Sequence, residues 1–356
     1  MNRKNIVLIV VLVLIVVSII ILQNNSYTPS DQVNVKTIKT NSSAANEKSL
    51  KYPYAIELGK SDGFINTDNI SISDYVGKKV ILVDFWTYSC INCQRTLPYL
   101  TSWYDKYKDQ GLIIIGVHTP EFEFEKNYDN VKKAVEKYEI KYPVVLDNGY
   151  ETWSAYKNHY WPRKYLIDID GFIVYDHIGE GGYAETEKKI QELLEERKTR
   201  LGLDTKIDQD IVQPNVSDTE FNMIQTPEIY FGYDFSRNQM GNAEGYKANE
   251  IVNYKLPLSY LPNKFYMKGN WLNNPDNLES SEDGEIVLSY SAKNVNLVAG
   301  ADKSVKISVY IDDKFVQNLT VSDYDLYKVY SAKEYGKHTI KIKTASGLRA
   351  YTFTFG

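Results

Sequence analysis

Cys90 and Cys93 constrain this chain more than any other feature. They are the only cysteines among its 356 residues, and they sit in the run V-D-F-W-T-Y-S-C-I-N-C-Q-R-T-L-P. Residues 80–85 are apolar apart from Asp84 and read as a buried strand, with Cys90 placed where a helix would begin. A thiol at a helix start meets the positive end of the helix dipole and free backbone N–H groups, which favour the thiolate. Cys93 lies one turn further on the same face, within reach of a disulfide. C-x-x-C is also half of a zinc site, but no other cysteine is present to complete one. The strand before the motif and Pro98 after it favour a redox pair on an α/β scaffold.

The rest of the first half continues that scaffold. A helix over 90–109 carries Leu97, Leu100, Tyr104 and Tyr107 along one face, Gly111 ends it, and 112–117 is a second buried strand. Val131, Ala134, Val135 and Tyr138 have helical spacing within 127–138. A third strand at 142–146 and a short helix at 150–157 follow. Strands at 164–169 and 172–178 are joined by the turn signal Asp170-Gly171, and a charged helix over 183–200 closes a domain spanning 53–205. Residues 206–226 read as a linker. From 227 to 356 short alternating strands such as 285–289, 305–311 and 338–343 are separated by Gly, Asn and Asp turns. They predict an antiparallel β-sandwich.

The N-terminus predicts export. Residues 6–22 are apolar except for Ser18 and at 1.5 Å per residue span roughly 25 Å, enough for a short membrane helix. Arg3 and Lys4 precede them, which keeps the N-terminus cytoplasmic and places the remainder outside. Residues 23–27 offer no small-residue cleavage site, so 1–23 read as a retained anchor and the polar stretch 24–52 as a tether. A net charge of −5 and the lack of a basic stripe argue against nucleic acid as a partner. A lone cysteine pair in an exported protein acts as a reagent rather than a strut, because so short a loop constrains the unfolded chain little.

Residues 54–197 resemble thioredoxin-fold proteins of the TlpA/ResA type, and D-F-W-T-Y-S-C-I-N-C is most similar to the soluble part of the DipZ family. The resemblance makes Asp84 the family's buried acid, Pro98 its helix-kinking proline, and Trp161-Pro162 the cis-proline loop that faces the disulfide. It also puts Trp86, Ser89 and Trp161 around the substrate. The chain departs from the pattern in three places. Ser89 stands in place of tryptophan, Ile91-Asn92 in place of Gly-Pro, and Thr96 where ResA-like proteins often carry an acid. T-P-E-I-Y-F-G-Y at 226–233, W-L-N-N-P from Trp271 and the terminal A-Y-T-F-T-F-G resemble the DipZ C-terminal domain, which is shaped like carbohydrate-binding modules. In DipZ a multi-helix membrane electron carrier precedes these domains. A single anchor in its place implies a separate membrane electron donor.

The chemistry this implies needs no cofactor beyond the Cys90–Cys93 pair. Cys90 attacks a disulfide of a cell-envelope protein, Cys93 resolves the mixed disulfide, and Asp84, its pKa raised by burial, takes the proton of Cys93. Pro162 leaves the neighbouring backbone free to pair with a substrate strand. The resemblance also implies a reductant rather than an oxidant. Other readings compete. Thr87-x-x-Cys90 resembles a peroxidase site, although the proline such sites need is Val83 here. His118 or His159 with the two thiolates would suit copper(I). Glu121, Glu123 and Glu125 read as a solvated loop face, or as a source of the acid missing at Thr96. Asp168-x-Asp170-Gly171 resembles the start of a calcium loop but is accounted for by a hairpin turn. The 30 tyrosines offer stacking surface for glycan contact by the C-terminal domain, or core filling.

Overall fold

A computed structural model describes residues 47–216 and 223–356. The expected anchor lies outside the described residues, and within them no helix is long and apolar enough to cross a membrane. The first domain is a mixed six-stranded sheet. Its strands are β1 (Gly63–Ile65), β2 (Val80–Trp86), β3 (Leu112–His118), β4 (Val144–Leu146), β5 (Arg163–Ile167) and β6 (Ile173–Ile178), in the order β1-β4-β3-β2-β5-β6. β2, β3 and β4 are parallel, β5 runs antiparallel to β2, and β6 runs antiparallel to β5, so it points the same way as the central three. The helices are α1 (Ile91–Tyr107), α2 (Tyr128–Lys137), α3 (Glu151–Ala155) and α4 (Tyr183–Leu201).

β2 is buried along its whole length, as a central strand covered on both faces must be. Its period of two then sorts the side chains. Val80, Leu82 and Trp86 join the core that includes Leu97, Leu100 and Trp103 of α1. Ile81, Val83 and Phe85 join the opposite core with Tyr156 and Tyr165. Asp84 therefore belongs to the α1 face, beneath the start of the helix that carries the cysteines. Gly111, with φ +114°, turns the chain from α1 into β3 as expected.

Two segments read as loose are strapped down. Ile207 is buried in the α1–α4 core, Val212 packs against it, and the Val212 N–H donates to Glu187 at 2.9 Å. Tyr107 donates to the Asp208 carbonyl at 3.2 Å. At the other end Lys48, assigned to the tether, places its ammonium among Asp168 (2.5 Å), Asp170 (3.1 Å) and Glu196. The hairpin reading of Asp168–Gly171 agrees with the geometry: Asp168 Oδ1 accepts from the N–H of Asp170 (3.0 Å) and Phe172 (2.9 Å), and Gly171 has φ +89°.

The C-terminal residues form an all-β domain, but as one continuous sheet rather than a sandwich of two. Its strands are β7 (Ile229–Tyr230), β8 (Ile251–Tyr254), β9 (Phe265–Asn273), β10 (Leu278–Ser280), β11 (Gly284–Gly300), β12 (Val305–Ile311), β13 (Lys314–Val321), β14 (Asp325–Thr344) and β15 (Arg349–Phe355). The 17-residue β11 starts against β9 and ends against β15, with register shifts at Ala292/Asn294 and Val298/Ala299. Such bulges let a long strand turn a corner, so the two halves of one sheet close over a shared core. Every tyrosine of this domain is buried or half-buried, which accounts for the aromatic content as packing.

The two domains share apolar contact. Tyr230, Val298, Leu326 and Tyr351 of the C-terminal domain lie in the same buried cluster as Leu97 and Trp103. Lys137 pairs with Asp325 at 2.6 Å across the boundary.

Candidate redox site

The strand–turn–helix unit places the cysteines as their spacing predicts. Cys90 caps α1, half-exposed, and its sulfur accepts the Cys93 N–H at 3.4 Å. Cys93 is buried and both thiols are free. Burial, and then the nearby Cys90, push the Cys93 thiol well above its ordinary value, so it needs a base before it can act as a nucleophile.

Asp84 lies buried on the same face, and neither of its oxygens has a hydrogen-bond partner among the described residues. Burial pushes its carboxyl up to about 7, and the Lys164 charge opposes this. Lys164 sits directly opposite Asp84 in the β2–β5 ladder, is itself buried, and donates to the Gly179 carbonyl at 3.0 Å. Burial pulls the Lys164 ammonium down, while Asp84 and Cys93 hold it up. Sequence reasoning missed this lysine. Its only signal was a charge directly before the apolar run Tyr165-Leu166-Ile167. Tyr142 was missed as well: its hydroxyl is buried without a partner, and burial, then Asp84, then Cys93, raise it far above the ordinary phenol value.

The Trp161–Pro162 peptide is cis, as the resemblance implies. The Trp161 carbonyl faces Cys90 Sγ at 4.0 Å, and its indole donates to the Thr119 carbonyl at 3.0 Å. Half-buried Trp161 therefore borders the sulfur. Trp86 and Ser89 do not line a substrate surface. Trp86 is fully buried, because the same alternation that turns Asp84 inward turns Trp86 inward too. Ser89 is buried and donates its hydroxyl to Glu125 at 2.6 Å.

That contact overturns the solvated-face reading for Glu125. A short 3-10 turn over Glu123–Lys126 rotates Phe124 and Glu125 inward and leaves Glu123 outside with Lys126. Burial pushes the Glu125 carboxyl up, against hydrogen bonds from Ser89, Thr87 and the Phe122 and Glu121 N–H groups. Glu121 meets the Tyr230 hydroxyl at 2.8 Å, and Glu228 meets the same hydroxyl at 2.9 Å. His118 is also committed elsewhere. Its Nε2 lies 3.4 Å from both the Tyr88 N–H and Thr87 Oγ, and burial pulls it down to about 3. His159 is exposed on its loop. Among the described residues, the one group of three clustered metal-ligating side chains is Asp168, Asp170 and Glu196, remote from the thiols in sequence and filled by Lys48.

Beside the first turn of α1 a cavity of about 400 Å³ is lined by Ile91, Asn92, Arg95 and Glu180 on one side and by Glu228 and Phe355 on the other. The C-terminal domain thus walls the approach next to the cysteines.

Residues 55–176 match the AhpC/TSA family and residues 226–356 the thioredoxin-like C-terminal domain. The chain is 35% identical over 310 residues to the protein DipZ of Mycobacterium bovis, covering 85% of this chain and 43% of that protein. It is 33% identical over 144 residues to the thiol-disulfide oxidoreductase ResA of Bacillus thuringiensis, covering 39% of this chain and 78% of that one. It is also 38% identical over 137 residues to the human NHL repeat-containing protein 2, covering 38% of this chain and 18% of the relative. The chain thus spans under half the length of the DipZ proteins it matches.

Proposed function

Because the chain belongs to the thioredoxin-like thiol–disulfide oxidoreductase family that includes ResA, we propose that it reduces disulfides of cell-envelope proteins through Cys90 and Cys93. The observation that carries this reading is the unpartnered, buried Asp84 on the sheet face beneath buried Cys93, with Cys90 half-exposed above.

The Cys90 thiolate attacks one sulfur of a partner disulfide. The partner's S–S bond breaks, and its other sulfur leaves with the electron pair and takes a proton. Cys93 then passes its proton to Asp84 and attacks Cys90 Sγ, which releases the second partner thiol. Two electrons have moved to the partner, and the Cys90–Cys93 pair is left as a disulfide. An external dithiol must reduce it again, which is the part of the separate membrane donor. The carbonyl of Trp161, beside Pro162, is the backbone group that meets the substrate strand.

Residues 6–22 hold the protein to the membrane with its domains outside, and no cofactor takes part. External protease on intact cells is expected to release a fragment beginning within 23–51, and full protection would place the protein inside. The C-terminal domain is read as a wall and clamp on the redox site rather than a glycan platform, since its tyrosines are engaged in packing.

Equilibration with glutathione buffers tests the direction. A reducing pair lies on the order of −200 to −280 mV, the range of glutaredoxins and thioredoxin. A value near about −120 mV, with oxidation of reduced unfolded substrates, would make it an oxidase.

A further inference from the structure

We propose that Glu125 is a positioning residue for Cys90, acting through Ser89, and that the C-terminal domain holds it in place. The inference rests on the redox reading of the cysteines and assigns a part of that site which the motif does not contain.

The three residues before Cys90 form a turn closed by one long backbone hydrogen bond, from the Cys90 N–H to the Thr87 carbonyl at 3.4 Å, so side chains must fix the rest of it. Two buried ones do. His118 accepts the Tyr88 N–H, and Glu125 accepts both the hydroxyl of Ser89 at 2.6 Å and its N–H at 3.4 Å. The other oxygen of Glu125 accepts the N–H groups of Glu121 at 2.6 Å and Phe122 at 2.9 Å. A side chain that accepts from four donors and is fully buried locks its own loop and the Ser89 loop to one another. Ser89 is bonded to Cys90, so the lock fixes the direction from which the sulfur meets a disulfide. Displacement of sulfur from sulfur requires the three sulfurs to lie near a line, and small misplacements are costly in such reactions.

The loop that carries Glu125 is in turn pressed onto the second domain. Phe122 stacks near Tyr351 (5.2 Å) and Phe235 (5.5 Å), and Phe124 near Tyr351 (4.6 Å) and Tyr324 (5.4 Å). The Tyr88 hydroxyl, from the Cys90 turn itself, donates to the Tyr324 carbonyl at 3.0 Å. Both halves of the lock therefore meet at Tyr324 of the C-terminal domain, which takes the Tyr88 hydroxyl on its carbonyl and Phe124 against its ring.

The test uses the full chain carrying Cys93→Ser, so that only Cys90 reacts. Its second-order rate with glutathione disulfide is compared with its alkylation by iodoacetamide, which needs no aligned sulfurs. Glu125→Ala and Ser89→Ala are each expected to slow disulfide attack about tenfold while changing alkylation less than about threefold, and the double variant to be no slower than either single one. Glu125→Gln keeps an oxygen for the two backbone N–H groups and an amide N–H that the Ser89 hydroxyl can accept, giving up only the long contact with the Ser89 N–H, and is expected to restore the rate to within about threefold. Tyr324→Ala, in the other domain, is expected to slow attack in the same selective way. Ser89→Ala removes one hydroxyl and keeps the test open should Glu125→Ala fail to fold. Unchanged disulfide attack in Ser89→Ala, or additive losses in the double variant, would overturn the proposal. If the parent itself attacks no disulfide yet alkylates normally, the redox reading fails instead.

Discussion

Replacing Cys93 by serine is expected to leave the protein joined to its partners as mixed disulfides, and replacing Cys90 is expected to leave it joined to none. The asymmetry follows from burial. Cys93 is closed off and its thiol is held well above the ordinary range, whereas Cys90 is half-exposed at the cap of α1. Only Cys90 can meet an incoming disulfide, and only Cys93 is placed to release it, one helical turn away. With Cys93→Ser the first exchange proceeds and the second has no nucleophile, so turnover falls to the uncatalysed rate while adducts accumulate. The measurement is non-reducing electrophoresis of membranes from cells expressing each variant, with thiols blocked at lysis. Adducts with Cys90→Ser, or equal alkylation of both cysteines in the reduced protein, would contradict the assignment.

How far the site could be read from the chain depends on which contacts are local. Strand β2, the cap at Cys90 and the turn at Gly111 follow from runs of neighbouring residues, and the structure places them within a residue or two of expectation. The position of Asp84 follows from period two, and the same rule applied to Trp86 would have removed it from the substrate surface. Lys164 was illegible for a different reason. Its partnership with Asp84 depends on the register between strands 80 positions apart in the chain, which no local pattern encodes. Glu125 misled because E-F-E-F-E alternates like a half-exposed strand, whereas a 3-10 turn brings Phe124 and Glu125 inside together. The single sheet of the second domain rests on β11 and β14 continuing through their register shifts. Sequence reading marks only 285–289 and 338–343 as strands within them, and so predicts short strands in two sheets. Residues 207–212 look like a linker by polarity, but two apolar side chains, Ile207 and Val212, are enough to seat them on the α1–α4 core.

Asp84→Asn should divide activity from stability, and in opposite directions. The native carboxyl is raised from 3.8 to about 7 by burial. Between about pH 4 and 7 the folded protein therefore keeps a proton that the unfolded chain has lost, and stability falls as pH rises through that window and stays low above it. A shift of this size corresponds to a penalty on the order of 4 kcal/mol at pH 8, at about 1.4 kcal/mol per unit. Part of the gain from removing it is offset, because Lys164 loses the charge opposite it. Asp84→Asn is thus expected to raise stability at pH 8 on the order of 2 kcal/mol in urea unfolding, with wild-type and variant curves converging near pH 4. Adding Lys164→Met should enlarge the gain, since it removes the buried ammonium left unpaired. Release of the mixed disulfide should move the other way. In the wild type it rises as Asp84 loses its proton through about pH 7, because the ionised carboxylate is the acceptor for the Cys93 proton. Without that acceptor the step waits for the Cys93 thiol to ionise unaided, so it should slow on the order of a hundredfold at pH 7 and show no inflection there. Rapid mixing of the reduced protein with a disulfide peptide, followed from pH 5 to 9, reads this step. An unchanged rate and inflection would remove Asp84 from the mechanism, even if the stability gain appeared as expected.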